Sequence, residues 1–338
     1  MRLSCARFSP VYFLLLAAMP LAAQHRPLRH FRFRYAVTVT HPRAGGRLRI
    51  WIPAAHNTRG QRVRLLSRQG DLPLRLVREP NYGNQVWFAQ TPQAPAGKLH
   101  FTLIYDVLRY RRDGLRGRSA PPARIQDTAL PASFNPYLLP NRLVPVTGLP
   151  ARLARQAVAG HRTVLGKARA IYLYVLHHMT YSKTGTGWGH GNALYACTAH
   201  HGNCTDFHSL FMAMARSQGI PVRFKIGFPL PRHQSQGEVP GYHCWVYFYV
   251  RGVGWAPADI SEAWLHPADR HFFFGNIDAD RVRFTEGRDL QLDPRQQGRP
   301  LNYFVYPYVE LNGKKDTRVT YRFHFRDLEP SRTASLAR

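Results

Sequence analysis

The stretch that decides the fold is Gly202-Asn203-Cys204-Thr205-Asp206-Phe207, where loop-type residues give way to an apolar run. Hydrophobic side chains then recur at helical spacing, at Phe207, Leu210, Phe211 and Met214. This pattern predicts a helix with Cys204 in its first turn, and Gly219-Ile220-Pro221 predicts where that helix stops. Unpaired N–H groups and the positive end of the helix dipole favour a thiolate there. We expect Cys204 to be a partly exposed nucleophile.

Two downstream blocks supply the partners that a nucleophilic thiol needs. Tyr242-His243-Cys244-Trp245 opens an alternating apolar stretch, and Trp255-Ala256-Pro257-Ala258-Asp259 adds a carboxylate. We expect His243 and Asp259 on adjacent antiparallel strands, where their side chains can meet. An imidazole can deprotonate the thiol, and a carboxylate can fix its tautomer. This order of Cys, His and Asp is typical of a papain-like thiol catalyst.

Three other interpretations of the cysteine and histidine residues stay open. A lone cysteine at a helix start is more often an inert small hydrophobe. A zinc site is the main chemical alternative, because sulphur and nitrogen ligands cluster at Cys197, His200, His201, Cys204 and His208. The spacing also permits a Cys197–Cys204 disulfide, which would consume the thiol. The spacing of Cys197 and Cys204 is looser than that of the usual zinc ligand pair and no second pair is well spaced, so we expect no metal and no cofactor.

The three blocks together resemble the core of the transglutaminase-like superfamily, and Gly219-Ile220-Pro221 between them fits the same core. The resemblance implies a papain-like fold with Cys204 as nucleophile, His243 as base and Asp259 as the orienting acid. Members that resemble one another in this core crosslink, cleave or deamidate through an acyl-cysteine intermediate. The Cys204 N–H is one expected oxyanion donor. Trp188 is a candidate for the second donor, with loop packing as the alternative.

The amino-terminal residues 1–23 predict a signal peptide, because Arg2 and Arg7 precede an apolar run and Leu21-Ala22-Ala23 offers a cleavage site. We therefore expect an exported protein, periplasmic or secreted, without a transmembrane segment after cleavage. Without this segment Lys plus Arg falls from 47 to 45 while the acids stay at 19, so the net charge is +26. The charge is spread along the chain, which predicts no specific nucleic-acid site. An anionic envelope polymer is the alternative partner.

The chain of 338 residues is long enough for two domains. Alternating segments at 32–39, 48–52, 62–66, 85–89 and 99–107 predict short strands separated by Gly, Pro and Asn turns. We expect an immunoglobulin-like β-sandwich domain over 24–140, a catalytic domain over 141–312, and a strand and tail over 313–338. Helices followed by antiparallel strands in the catalytic domain predict an α+β fold. The run 111–150 is rich in Pro and Arg and predicts a linker, and 181–202 predicts a long loop rich in Gly and His.

These patterns predict an exported thiol enzyme that acts on amide bonds of a protein or peptide substrate. Water is the expected acyl acceptor, because no separate amine-binding feature is visible and a strongly positive surface repels cationic amines. The alternatives are a protein-glutamine amine transferase that crosslinks its substrates and a non-catalytic module that binds anionic envelope polymers. The sequence contains no loop rich in Asp and Glu, and this argues against activation by calcium.

Overall fold

The computed structural model of the chain describes residues 28–41, 43–115 and 130–328. The predicted signal peptide at 1–23 lies outside these residues. The strands are β1 Leu28–His41, β2 Leu48–Pro53, β3 Gln61–Gly70, β4 Arg75–Arg78, β5 Gln85–Thr91, β6 Gly97–Tyr110, β7 Arg112–Asp113, β8 Thr180–Tyr181, β9 His201–Gly202, β10 Val222–Pro229, β11 Gln236–Glu238, β12 His243–Val250, β13 Gly254–Ala258, β14 Asn276–Ile277, β15 Arg281–Glu286, β16 Tyr308–Leu311, β17 Lys314–Lys315 and β18 Val319–Asp327. The helices are α1 Asn135–Leu138, α2 Gly148–Ala157, α3 Val164–His178, α4 Ala193–Ala199, α5 Cys204–Ser217 and α6 Ile260–Leu265.

Two five-stranded antiparallel sheets form the sandwich, with strand orders β11-β18-β1-β6-β3 and β17-β16-β2-β5-β4. Strand β1 shows why the segments form a sheet: Phe33, Tyr35 and Val37 are buried while the residues between them are more exposed. The facing side chains of the two sheets meet in one core, and the Trp87 indole N–H donates to the Tyr105 hydroxyl over 3.0 Å. The predicted strands of this region are confirmed, each with slightly wider bounds.

The carboxyl-terminal strands are built into the sandwich. Strand β18 pairs along β1 from Phe31↔Asp327 to Val39↔Val319, and β16 pairs with β2. The sandwich is therefore not a self-contained amino-terminal unit, and an immunoglobulin-like arrangement is not confirmed. The expected boundary at 312 divides β16 from β18, although both strands complete the sheets of the predicted 24–140 domain. Sequence separation hid this pairing, because local patterns carry no information about distant partners.

The part that carries Cys204 has the α+β arrangement that the sequence predicts. A four-stranded antiparallel sheet has the order β13-β12-β10-β15, and α5 packs on one of its faces. Helix α5 is buried from Cys204 to Arg216, as expected for a helix enclosed by other helices and a sheet. It ends where Gly219 adopts a φ of +73°, which confirms the predicted stop.

Segments that the sequence did not distinguish from loops cover the edges of this core. The expected linker at 111–150 contains β7, α1 and the start of α2, with residues 116–129 outside the description. The expected long loop at 181–202 contains α4, a helix of seven residues. None of the helices in the described part of the chain is long and apolar enough to cross a membrane.

Candidate active site

Cys204 lies at the amino end of the central helix. The Asn203 side chain caps this helix by accepting from the Thr205 N–H over 2.9 Å, and Asp206 returns the contact by accepting from the Asn203 N–H over 3.0 Å. This reciprocal capping box fixes the first turn and leaves the Cys204 N–H at the positive helix end. The expectation of a partly exposed thiol is wrong, because Cys204 is only 2% exposed.

His243 and Asp259 lie next to each other, as expected, but on different elements. His243 is the first residue of β12, whereas Asp259 follows β13 and is the cap residue of α6. The imidazole Nε2 lies 2.7 Å from Asp259 Oδ2, and the other carboxylate oxygen accepts from the Glu262 N–H over 3.1 Å. The hairpin brings the pair together, and the helix cap holds the carboxylate rigidly. The ring nitrogen Nδ1 of His243 is left for the thiol.

The protonation of Cys204 differs from that of an ordinary buried thiol. Burial raises its pKa, but hydrogen bonds from Cys244 and His243 together with the charge of His243 lower it to about 6. Burial lowers the pKa of His243, yet the charge and hydrogen bond of Asp259 hold it well above its ordinary value. A thiolate beside an imidazolium is therefore the favoured pair at neutral pH.

Arg281 is a site residue that the sequence interpretation missed. Its Nη1 donates to Asp259 Oδ2 over 2.6 Å, while Nε and Nη2 bind both oxygens of Asp278 over 2.8 and 3.1 Å. Burial raises the pKa of Asp259, but His243 and Arg281 together hold it well below its usual range. The guanidinium thus keeps the Asp259 carboxylate ionised in a fully buried position. No local pattern marks this contact, because β15 has no recognisable motif.

His208 was grouped with the zinc alternative but has a different place. Its Nδ1 lies 2.7 Å from the Cys204 carbonyl oxygen, and the Ile260 N–H lies 3.1 Å from Nε2. Since Nε2 accepts from an amide, Nδ1 carries the proton and donates to the carbonyl. Burial lowers the pKa of His208 to about 4, which keeps it neutral. His208 therefore ties the first turn of α5 to the start of α6.

The other members of the zinc cluster are not arranged as ligands. The His201 ring contacts the Tyr195 hydroxyl at 2.9 Å and the Ala199 carbonyl at 2.9 Å, so both of its nitrogens have partners. Within 28–41, 43–115 and 130–328, no three His, Cys, Asp or Glu side chains are grouped closely enough to hold a metal ion. Cys197 and Cys204 are free thiols, so the alternative disulfide is not formed in this structure.

Two tyrosines that the sequence did not single out lie beside the thiol. The Tyr242 hydroxyl accepts from Asn203 Nδ2 over 3.0 Å, and the Tyr303 hydroxyl donates to the Gly189 carbonyl over 3.1 Å. Burial, and after it the charge of Cys204, raises the pKa of Tyr242 far above its ordinary value. Both hydroxyls therefore stay protonated beside a thiolate, where they add polar groups to an otherwise apolar wall.

The loop with Trp188 is fastened to the same helix end. Asp206 accepts from the Gly189 N–H over 2.7 Å and from the Gly191 N–H over 3.0 Å. The Trp188 indole N–H donates to the Gly185 carbonyl over 3.1 Å, within its own loop. In this conformation the indole N–H is used by the loop, and the oxyanion role of Trp188 stays a prediction.

A cavity of about 430 Å³ opens beside His243, between the strand that carries it and α6. Pro240, Glu262 and His266 lie on its walls together with His243. Glu262 Oε1 lies 3.8 Å from His243 Nε2, on the same side as Asp259. The cavity gives an approach to the imidazole although the thiol itself is buried.

Comparisons with known proteins agree with this architecture. A family model described as Transglutaminase-like superfamily matches residues 151–260. A protein of Haemophilus influenzae described as uncharacterised is 27% identical over 305 residues, covering 79% of this chain and 82% of the relative. A solved structure from Cytophaga hutchinsonii, provisionally assigned as a cysteine protease, has a TM-score of 0.58 and 17% identity and covers 90% of this chain and 94% of that one. At that identity, the likeness establishes the fold alone. Residues 151–260 therefore carry a core similar to that of the transglutaminase-like superfamily.

Proposed function

We propose that the chain is a cysteine-dependent enzyme that acts on amide bonds and transfers the acyl group to water. The observation that carries this proposal is the position of Cys204 at the capped start of α5 beside His243, whose Nε2 lies 2.7 Å from Asp259 Oδ2. In this setting the pKa of the thiol is lowered to about 6. A buried cysteine without a reaction to perform has its pKa raised, as burial raises that of Cys197 to about 11. The superfamily match supports the same chemistry.

The proposed reaction begins when the Cys204 thiolate attacks the carbonyl carbon of an amide. A carbon–sulphur bond forms, and the carbonyl oxygen becomes an oxyanion near the Cys204 N–H. The His243 imidazolium gives its proton to the leaving nitrogen as the carbon–nitrogen bond breaks, which leaves an acyl-cysteine. His243 then takes a proton from water, and the resulting hydroxide displaces the thiolate. Asp259 holds the imidazole in the required orientation throughout.

Hydrolysis is preferred over transfer to an amine on electrostatic grounds. The net charge of +28, or +26 without residues 1–23, repels a cationic amine at long range. Salt limits this repulsion to roughly 8–10 Å, so it disfavours amine capture without preventing it. The acyl acceptor is therefore the point that the first experiment has to resolve.

The experiment follows a glutamine-rich protein by mass spectrometry during incubation with the enzyme and a labelled primary amine. We expect cleaved or deamidated products, and an acyl adduct on a peptide that contains Cys204. Cys204→Ala removes both signals, whereas Cys197→Ala, which removes another buried thiol, leaves them unchanged. Amine incorporation that outpaces hydrolysis would assign the chain to the crosslinking alternative. Absence of both products and adduct over a broad substrate panel would contradict the proposed activity.

We further propose that the enzyme works outside the cytoplasm on protein or peptide substrates. The support is the arrangement of Arg2, Arg7 and the apolar run within residues 1–23. Amino-terminal sequencing of the protein recovered from a bacterial periplasm or culture medium is expected to begin just after Ala23. A protein found only inside the cell with Met1 intact would contradict export.

A further inference from the structure

A second cavity, of about 390 Å³, lies on the other side of the four-stranded sheet from α5. We call it the arginine pocket, because six arginines and one lysine line it. The β10–β12 register pairs Lys225 with Trp245 and Arg223 with Tyr247, so these four side chains share one face of the sheet. Residues at the alternate positions of these strands face α5, as the contact of Phe248 with Phe211 shows. The arginine pocket is thus a separate site from the buried thiol.

Positive charge in this pocket is largely uncompensated. Glu286 is the one acid among the described residues that line it. This carboxylate is shared between Lys225, which contacts it closely, and Arg283, whose Nη2 lies 3.2 Å away. The Tyr137 hydroxyl also donates to it over 3.1 Å. Burial lowers the pKa of Lys225 well below its ordinary value, but six arginines beside one carboxylate still leave the pocket with an excess of positive charge.

Several hydrogen-bond donors at the pocket have no partner. Arg109 is 2% exposed, and its Nη1 reaches the Gly60 carbonyl over 3.3 Å. Its Nε and Nη2 are buried without a partner in the described part of the chain, as are the Nε atoms of Arg223 and Arg283. A buried guanidinium with unsatisfied donors is costly to maintain. Several such donors together in one cavity suit an anionic ligand.

Neighbouring groups respond to this charge in the expected direction. Burial and then the charge of Arg283 lower the pKa of His56 to about 4, so its imidazole is neutral. His56 Nε2 can therefore accept from Arg283 Nη2, 3.2 Å away. Burial lowers the pKa of Arg283 itself to about 10, with Arg109 and Arg223 contributing in the same direction.

Aromatic side chains hold the guanidinium groups in place. The Arg223 guanidinium lies 4.0 Å from the centre of the Trp255 ring and 4.6 Å from that of Tyr137. Stacking fixes the plane of the fork before a ligand arrives, and planar forks match the oxygens of phosphate groups. Arg59 and Arg78 are exposed at the same pocket, where they can attract an anion from solution.

We propose that the arginine pocket binds a small phosphorylated molecule, with its phosphate oxygens on Arg109, Arg223 and Arg283. The volume of the pocket suits a small molecule that is larger than inorganic phosphate but smaller than a segment of a polymer. A phosphate group supplies up to two negative charges and three strong acceptor oxygens, which matches the excess cations and the unpaired donors. The phosphate can belong to a free metabolite or to a lipid head group, and the experiment separates these sources.

The test is isothermal titration calorimetry with pyrophosphate at about 0.15 M salt, on the full chain. We expect one site per molecule. Arg109→Met removes a buried cation with unpaired donors, so we expect about 10- to 100-fold weaker binding. The same variant is expected to melt at a higher temperature than wild type in anion-free buffer, because the buried charge is gone. A merely structural arginine predicts the opposite change in melting temperature.

Matched variants separate the pocket from the general charge of the chain. Arg322→Gln removes one positive charge from an exposed position on β18 and is expected to leave the affinity unchanged. Arg59→Gln, at an exposed position of the pocket, is expected to weaken binding without affecting folding. Because Cys204 lies across the sheet, Cys204→Ala is expected to bind pyrophosphate like wild type whether or not the proposed amide chemistry is correct.

Two further arms identify the source of the phosphate. Glycerol 3-phosphate probes a free ligand, and vesicles that contain phosphatidic acid probe a lipid head group, with phosphatidylcholine vesicles as the blank. Binding to either that is lost in Arg109→Met supports the site and names its source. Pyrophosphate affinity that is equal in wild type and Arg109→Met, or that falls equally in Arg322→Gln and Arg59→Gln, would overturn the proposal.

Discussion

Individual side chains set the protonation of the proposed nucleophile, and they make its pH dependence testable. Cys204 and His243 share one proton, so they titrate as a pair rather than as independent groups. Below the pKa of about 6 the thiol gains a proton and loses its nucleophilicity. We expect the rate of inactivation by chloroacetamide, measured from pH 4 to 9, to rise with an apparent pKa of about 6.

Two variants control this profile. His243→Ala removes the charge and one of the hydrogen bonds that lower the pKa of Cys204, while burial continues to raise it, so its apparent pKa is expected to move to about 8.5 or above. Cys197→Ala is expected to leave the profile unchanged. A wild-type profile without an inflection below pH 8 would show that Cys204 is an ordinary buried thiol. Because Cys204 is 2% exposed, the size of the alkylating reagent matters more than its reactivity, and chloroacetamide is small.

Arg281 gives a second test at the level of single side chains. Arg281→Met leaves Asp259 and Asp278 without their shared cation in a buried position. Breaking a buried ion pair by removing one partner is expected to lower the free energy of unfolding by about 3–5 kcal/mol. Urea denaturation at pH 7 measures this, with the exposed Arg322→Met expected to change it by less than about 0.5 kcal/mol.

The pH dependence of this difference has a definite sign. A carboxyl whose pKa is depressed on folding stabilises the protein above its unfolded-state pKa, which is about 4 for Asp. The stabilisation is lost as the pH falls through the depressed folded-state pKa. The deficit of Arg281→Met relative to wild type should therefore be full at pH 5–7 and shrink in acid. A deficit that does not depend on pH would attribute the effect to packing of Arg281 against Trp245 instead.

Among the secondary-structure elements, the amino end of α5 depends on one carboxylate. Asp206 accepts from the backbone N–H groups of Asn203, Gly189 and Gly191, and it is fully buried. Asp206→Ala leaves these three donors unpaired, so we expect it to lower the free energy of unfolding by about 2–4 kcal/mol. Hydrogen exchange at 187–191 should accelerate because the loop is no longer fastened to the helix. Asp206→Asn keeps one acceptor oxygen and is expected to lower the free energy of unfolding less than Asp206→Ala does.

The contribution of Asp206 shows what a local pattern can and cannot predict. A carboxylate in the first turn of an amphipathic run is favourable at the positive helix end, so local sequence alone indicates a capping role for Asp206. Its bonds to Gly189 and Gly191 depend on how a distant loop returns to the helix end, and no periodicity records that. If exchange at 187–191 in Asp206→Ala equals that of wild type, the loop is held by other contacts, such as Tyr303 with Gly189.

The same reasoning explains which elements were found. Strands β1 and β6 alternate buried and exposed residues, so their period is visible in the sequence. Strand β15 was missed because its buried residues include Arg281, Thr285 and Glu286, which pair with distant partners and so look like surface residues. Helix α4 has seven residues, too few for a helical period to be distinguished from a loop. The three catalytic candidates were recoverable because each lies in a short local block.

For the molecule as a whole, the sandwich and the part that carries Cys204 share one core. Phe33 of β1 lies 5.4 Å from Phe228 of β10, measured between ring centres, and Phe323 of β18 lies 4.1 Å from the same ring. Phe284 of β15 joins this aromatic cluster at 5.2 Å from Phe228. Strands from both ends of the chain thus pack directly on the four-stranded sheet. Sequence patterns placed a boundary between the two parts, because they report composition along the chain and not packing across it.

One cooperative unfolding transition follows from this shared core. Phe323→Ala removes a side chain that is 4% exposed and packs on Phe228 and on Tyr35, at 4.1 and 4.7 Å between ring centres. We expect it to lower the free energy of unfolding by about 3–5 kcal/mol. Thermal unfolding is followed by far-UV circular dichroism and by labelling of the three buried thiols. Both probes should shift together, although Phe323 lies on the carboxyl-terminal strand and Cys204 on the central helix.

Arg322→Ala, at the exposed neighbouring position, controls for the strand itself and is expected to shift neither. Two separate transitions, with thiol labelling unaffected by Phe323→Ala, would show that the parts fold independently and that the aromatic cluster only joins them.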